Sequence, residues 1–236
     1  MANKKDLNFE TKVIHAGQKS DPTTGAVMTP IVLASTYEQS SPGIHKGYDY
    51  SRSINPTREA FENCIASLEN GIKGYGFSSG VAAISACVEL LSPGDHIIAM
   101  DDLYGGSVRL FNEIKSISQG IDVTYVDMTD IDNIKDSLKE STKMIFVETP
   151  TNPLLKIADL SKIAKLAKAN KILTVCDNTF ASPYNQQPLN HGIDIVIHSA
   201  TKYLGGHSDL IAGAMIIGKK DKKLINRMSN IHNSLG

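Results

Sequence analysis

From residue 73 onward, short apolar runs alternate with stretches whose apolar residues recur three and four positions apart. The runs lie at 73–77, 95–100, 121–126, 143–148, 172–177, 193–198 and 210–218. Each is short, rich in Ile and Val and apolar throughout, the pattern of a buried strand. Between them "SGVAAISACVELL", "VRLFNEIKSIS", "DIDNIKDSLKE" and "DLSKIAKLAKAN" carry helical spacing. A strand that is apolar on both faces has to be covered on both faces. The pattern therefore predicts an α/β fold, a mostly parallel seven-stranded sheet with helices on both sides.

The first 60 residues differ. "DPTTGAVMTPIVLASTYEQSSPGIHKGYDYSRSINPTRE" has Pro and Gly in place of sustained periodicity, so it reads as an extended arm that enters the first helix after Pro56. The expected division is an N-terminal arm over 1–60, of the kind that reaches a neighbouring subunit, and one large domain over 61–236.

Composition narrows the function classes. At 236 residues and 41% hydrophobic, the chain can bury a full core. Lys plus Arg is 24 against 25 for Asp plus Glu, so the net charge of −1 gives no electrostatic case for nucleic acid or a membrane and points to a small substrate. Cys64, Cys87 and Cys176 stand in apolar or helical contexts at unrelated spacings and read as reduced core thiols. "MANKKDLNFETK" has no apolar segment behind its lysines, and the run at 210–218 is too short to span a bilayer, so a cytoplasmic protein is expected. Lys219 to Lys223 reads as solvated charge at the start of the last helix, and His198 and His207 lack ligand spacing for a metal.

In a parallel sheet, ligands bind beyond the carboxyl ends of the strands, so the polar residues there carry the chemistry. After 73–77 come Ser78-Ser79-Gly80-Val81, hydroxyls and a glycine opening a helix: an anion site, or a plain serine cap. After 95–100 comes "DDLYGGS", where Tyr104 is placed to stack on a planar ligand or simply to close a loop. After 143–148, Asn152 between two prolines offers a rigidly held amide. Asp177 ends an apolar strand, where a carboxylate is costly without a cation or donor, though capping the next helix is an equal reading. "HSATKYLGGHSD" at 198–209 adds the hydroxyls of Ser199 and Thr201 and the amine of Lys202. A lysine partly desolvated at such an edge is a nucleophile able to form a Schiff base, whereas an ordinary loop lysine stays solvated.

Taken together, an anion cradle, a stacking ring, a buried carboxylate and a lysine are the parts that pyridoxal 5′-phosphate needs. A dinucleotide or nucleoside-triphosphate site fits less well, because the first glycine turn lacks G-x-G-x-x-G and Lys202 stands far from it.

The stretches "YSRSINPTRE", "SSGVAA", "DDLYGG", "VETPTNPLLKIADL", "DNTFASPY" and "HSATKYLGGHSD" occur in order, and on them the chain resembles the Cys/Met-metabolism (trans-sulfuration) family of pyridoxal-phosphate enzymes. The resemblance implies the large domain of fold-type I. It implies that Lys202 holds the cofactor covalently and moves protons, and that Asp177 holds the ring nitrogen. Tyr104 would stack on the ring and assist proton transfer, and Asn152 would lie near the ring hydroxyl. Gly80, Val81, Ser199 and Thr201 would bind the phosphate. Tyr50 and Arg52 would reach the adjacent subunit's site, in a dimer of dimers.

Gly106 follows the tyrosine motif as in the cystathionine enzymes, so γ-elimination or γ-replacement on cystathionine or a related sulfur amino acid is the expected activity. Cystathionine β-lyase and O-acylhomoserine sulfhydrylase are the alternatives. Family members continue into a C-terminal domain that supplies an arginine for the substrate carboxylate. The expectation is that this small domain is absent, and an inactive remnant that only binds cofactor or oligomerises is a further alternative.

Overall fold

The computed structural model describes residues 7–218 and 221–235. It opens with helix α1 (Phe9–His15), the antiparallel pair β1 (Gln39–Ser41) and β2 (Ile44–His45), and helix α2 (Pro56–Leu68). Seven strands then build one sheet: β3 (Lys73–Phe77), β4 (His96–Met100), β5 (Asp122–Val126), β6 (Thr142–Glu148), β7 (Leu173–Asp177), β8 (Ile195–Ser199) and β9 (Gly213–Ile217). The helices between and after them are α3 (Gly80–Val88), α4 (Gly105–Arg109), α5 (Ser116–Gln119), α6 (Ile131–Asp136), α7 (Leu160–Asn170), α8 (Ser182–Asn185) and α9 (Lys222–Leu235).

The strand order is β3-β9-β8-β7-β6-β4-β5. From β8 to β5 every neighbour pair is parallel, and β9 runs antiparallel to both β8 and β3. β9 alone runs against the rest, so six strands end on the same edge. Side chains alternate across the sheet. Ile195, Ile197, Met215 and Ile217 join the core under α3 and α9, while Val196, Ala214 and Ile216 pack with Ile65 and Leu68 of α2 on the other side. Helices therefore cover both faces, as the two-sided apolar runs require.

Four details depart from expectation. β3 and β5 are the edge strands and only half-buried, so their sequences, KGYGF and DVTYV, are not apolar throughout. The last run begins as a strand only at Gly213, because Ala212 and Thr201 bond each other and hold 210–212 as a loop. "VRLFNEIKSIS" is a helix interrupted by a π turn at Leu110–Lys115.

The arm is not simply extended. It contains α1, which packs against α2 and buries none of its own residues, and it ends at Asn55, whose side chain accepts from the N–H groups of Thr57 and Arg58 to cap α2. The polar side chains of "NPTR" pin it. Thr57 Oγ1 donates to Pro30 O at 2.8 Å, and Asn55 Nδ2 donates to Val32 O at 3.0 Å. Arg58 donates to the carbonyls of Ser51, Arg52 and Ser53 and pairs with Glu62 at 3.1 Å. Glu62 Oε1 also receives the N–H of Gly76 in β3 at 3.0 Å.

Cys87 and Cys176 are buried and Cys64 half-buried, all as free thiols, and burial pushes the Cys87 thiol up to about 12. Among the described residues no helix is long and apolar enough to cross a membrane. The start of the "MANKKDLNFETK" stretch and Lys219 and Lys220 of the basic run lie outside the described residues.

Candidate active site

The strand ends gather around one cavity of about 310 Å³ at the carboxyl edge of the sheet. Its floor is the turn from β3 into α3. Ser79 is extended (φ −163°, ψ 165°), and its Oγ accepts from Ala82 N at 3.1 Å while its carbonyl accepts from Ala83 N. Ser79 is thus the helix cap, yet it satisfies neither Gly80 nor Val81. As the first two residues of the helix they have no carbonyl one turn back, so their N–H groups remain available to an anion. A Cβ on Gly80 would lie 2.8 Å from Ser199 Cβ, so only glycine lets α3 and β8 approach this closely. The two hydroxyls differ. Thr201 Oγ1 is engaged with Ala212 N and O at 3.1 and 3.2 Å, whereas Ser199 Oγ makes no hydrogen bond among the described residues.

Two carboxylates share the opposite wall. Asp177 ends β7 at 8% exposure, and its Oδ1 accepts from Thr179 N at 3.0 Å and Thr179 Oγ1 at 2.6 Å. It therefore closes its own turn and does not cap the next helix, α8, whose cap position is Ala181, and it also lines the cavity. Both bonds fall on Oδ1, leaving Oδ2 without a protein donor among the described residues. Burial pushes the Asp177 carboxyl up, and the Thr179 donors oppose the shift. Glu148, at the end of β6, stands in register with Asp177 and lines the same cavity. Burial first, and the charge of Asp177 second, push Glu148 up to about 8. Sequence reasoning treated Glu148 only as the end of a strand. Thr179 was missed as well: its hydroxyl also accepts from Ser199 N at 2.8 Å and ties the exits of β7 and β8 together.

Tyr104 precedes α4, with its N–H donated to Glu148 Oε2 at 3.0 Å, and its ring is half exposed over the cavity. A Cβ on Gly106 would lie 2.3 Å from Tyr104 Cε1, so the glycine is what lets the ring lie down. Gly106→Ala is expected to swing the ring away and reduce kcat roughly tenfold, a cost of about 1.4 kcal/mol. The melting temperature should be unchanged, because the ring is already half exposed. Steady-state kinetics beside a thermal melt checks this. Asn152 lines the cavity next to Tyr104, and its N–H also serves Glu148.

Lys202 lines this cavity and a larger outer cleft of about 870 Å³ shared with Tyr203, Ser208 and Leu210. Its side chain is exposed while lining both, because the turn at 199–206 carries it beyond the strand end. Tyr50 and Arg52 do not line the cavity. Both are exposed, with the Arg52 guanidinium 5.3 Å from the centre of the Tyr50 ring.

Behind the site, His198 Nε2 lies 2.6 Å from Glu69 Oε1, with side chains 1% and 0% exposed. Asn178 Nδ2 donates to the same oxygen at 2.8 Å. Among the described residues Glu69 Oε2 has no partner, so the Glu69 side chain is held through Oε1 alone, by Asn178 Nδ2 and His198 Nε2. His198→Ala is expected to cost roughly 3 kcal/mol, because it strips a buried acidic group of a partner. Adding Glu69→Gln should restore part of the lost melting temperature. Among the described residues no three of His, Cys, Asp and Glu stand together as a metal site.

The profile of the Cys/Met metabolism PLP-dependent enzymes matches residues 10–236. The chain belongs to this family. Within it, the chain is 54% identical over 234 residues to the cystathionine β-lyase of Coxiella burnetii, covering 99% of this chain and 60% of that one. It is 47% identical over 230 residues to the cystathionine γ-lyase of Bacillus subtilis, covering 98% of this chain and 60% of the relative. The structure of cystathionine γ-lyase from Lactobacillus plantarum complexed with L-serine superposes with a TM-score of 0.93 at 47% identity, over 97% of this chain and 59% of that one. The chain thus spans about 60% of the length of these relatives.

The cavity fits the family's cofactor, pyridoxal 5′-phosphate. Free N–H groups at Gly80 and Val81 and the Ser199 hydroxyl suit a phosphate, the open oxygen of Asp177 suits a protonated ring nitrogen, and the amine of Lys202 suits an aldehyde.

Proposed function

We propose that the protein is a carbon–sulfur lyase or transferase of trans-sulfuration. It would act on cystathionine or a related sulfur amino acid by γ-elimination or γ-replacement. The observation that carries the reading is the single cavity gathering Lys202, Asp177, Tyr104, Asn152 and the Gly80–Val81 and Ser199–Thr201 cradle, eight of the ten residues expected at such a site.

The bound cofactor supplies an electron sink for the charge left when the substrate's Cα proton departs. The residues do the rest. Lys202 would hold the cofactor through its amine, and the same amine, when free, would take the substrate's Cα proton and return it further along the substrate. Asp177 keeps the ring nitrogen protonated, Tyr104 covers the ring face, and the N–H groups of Gly80 and Val81 with Ser199 and Thr201 take the phosphate. Asn152 orients the ring hydroxyl.

Tyr50 and Arg52, held out on the arm, serve a neighbouring subunit's site in a homo-oligomer, a dimer of dimers. Supporting this, Val27, Met28, Ile31 and Leu33 of the arm are 74–92% exposed, an apolar stretch suited to burial against another copy. The division into an arm and a large cofactor domain, with a cytoplasmic location, belongs to the same proposal.

β-Elimination is the second reading, favoured by the name of the Coxiella burnetii relative. Incubation with cystathionine separates the two. γ-Elimination yields 2-oxobutyrate and cysteine, whereas β-elimination yields pyruvate and homocysteine. Formation of cystathionine from cysteine and an activated homoserine ester would mark γ-replacement. No turnover of any of these by cofactor-loaded protein would overturn the proposal.

A further inference from the structure

Among the titratable side chains on the cavity wall, Tyr104, Asp177 and Lys202 have tasks in the proposed chemistry and Glu148 has none. Its placement is specific. Glu148 ends β6 in register with Asp177 at the end of β7, so two carboxylates stand on strands about 4.8 Å apart and face the same space. Glu148 is 6% exposed and Asp177 8%. The N–H groups of Tyr104 and Asn152 serve Glu148, and the N–H and hydroxyl of Thr179 serve Asp177. Each carboxylate is therefore provided with donors that suit its charged form. Two like charges this close in a largely dry pocket nevertheless oppose one another.

The other charged and titratable groups facing the pair are Asp102 from the loop after β4, Cys176 on β7 and His198 on β8, with Tyr104 and Lys202 on the cavity wall. Asp102 adds a further negative charge, and Lys202, the one amine among these groups, is exposed at the cavity margin.

Resting on the cofactor reading above, we infer that Glu148 and Asp177 form a two-carboxylate seat that keeps one proton while no cationic ring is docked and releases it when a protonated pyridine ring settles on Asp177. The O–H bond of the Glu148 carboxyl breaks, its electron pair stays on the carboxylate, the proton goes to solvent, and the charge of the ring takes its place. Burial and the charge of Asp177 hold Glu148 at about 8, which puts this exchange in the neutral range. Glu148 thereby makes the site selective for cationic over neutral rings.

The test is calorimetric titration of the protein with deoxypyridoxine phosphate, which has the ring and phosphate but no aldehyde to react with Lys202. Runs at pH 7 in two buffers of different ionisation heat give the protons released. The wild type is expected to release about one proton more than Glu148→Gln, with both binding. Equal counts would overturn the inference while leaving the cofactor reading intact. Failure of the wild type to bind would overturn the cofactor reading and this inference with it. Should Glu148→Gln not fold, thermal melts of the wild type decide. An acid whose folded value is raised from 4.5 to about 8 makes the ligand-free protein lose stability as pH rises from 5 to 8. The shift in melting temperature given by the analogue should grow over the same range, and flat curves would overturn the inference.

Discussion

Lys202→Ala is expected to yield a folded protein that takes up pyridoxal 5′-phosphate without the visible absorption of the lysine-bound cofactor. Activity should fall by about 10²–10⁴-fold, the worth of a positioned proton carrier. The fold is spared for a local reason. The contacts that shape the turn are backbone ones, Lys202 N to Ser199 O and Gly206 N to Lys202 O, and the side chain is exposed. Melting temperature should therefore match the wild type within a degree or so, since exposed substitutions of this kind change stability by about 0.5 kcal/mol or less. Spectra recorded before and after cystathionine, beside a thermal melt, check both halves. A retained band would mean that another amine holds the cofactor.

Asp177→Asn separates charge from shape. Asparagine keeps an oxygen where Thr179 donates, so the turn after β7 survives, but the side chain no longer carries the charge proposed to retain a proton on the ring nitrogen. The expected result is a roughly 10²–10³-fold loss in kcat, the scale of one preorganised electrostatic contact, with a smaller change in KM. Stability moves the other way. Burial raises the Asp177 carboxyl, so the folded state disfavours the charge above the ordinary value of 3.8, and removing it should hold or raise the melting temperature at neutral pH. Steady-state kinetics with a melt at the same pH reads both. A variant that lost stability and kept kcat would assign Asp177 to the scaffold.

The sheet was legible because a parallel strand buried on both faces has little choice of residue: HIIAM and IVIHS carry unbroken apolar runs of four and three residues, where the edge strand DVTYV mixes apolar with polar ones. The convergence of the candidate residues on one cavity was legible because six strand ends share one edge, so residues far apart in sequence come together. What escaped notice depends on neighbours that no local window contains. Glu148 reads as the end of TKMIFVE, and its chemistry comes from Asp177 across the β6–β7 ladder. Thr179 reads as a turn residue until β8 places Ser199 N against it. α1 is only seven residues long, and its apolar residues, Phe9, Val13 and Ile14, span barely more than one turn, too short a stripe to stand out. The exposure of Lys202 follows from how far the turn at 199–206 projects, which motif spacing does not encode.

One carboxylate group in the structure acts as a joint between two addresses. Glu62 Oε1 takes the N–H of Gly76, three residues before the Ser79 turn, and also the Nε of Arg58, whose remaining donors grip the carbonyls of Ser51, Arg52 and Ser53. The loop bearing Tyr50 and Arg52 and the strand feeding the Gly80 cradle therefore hang from the same 7%-exposed side chain. Slack introduced there would be felt at both ends at once, so the turn at Gly80 and the outward-facing loop are tuned as a single mechanical unit.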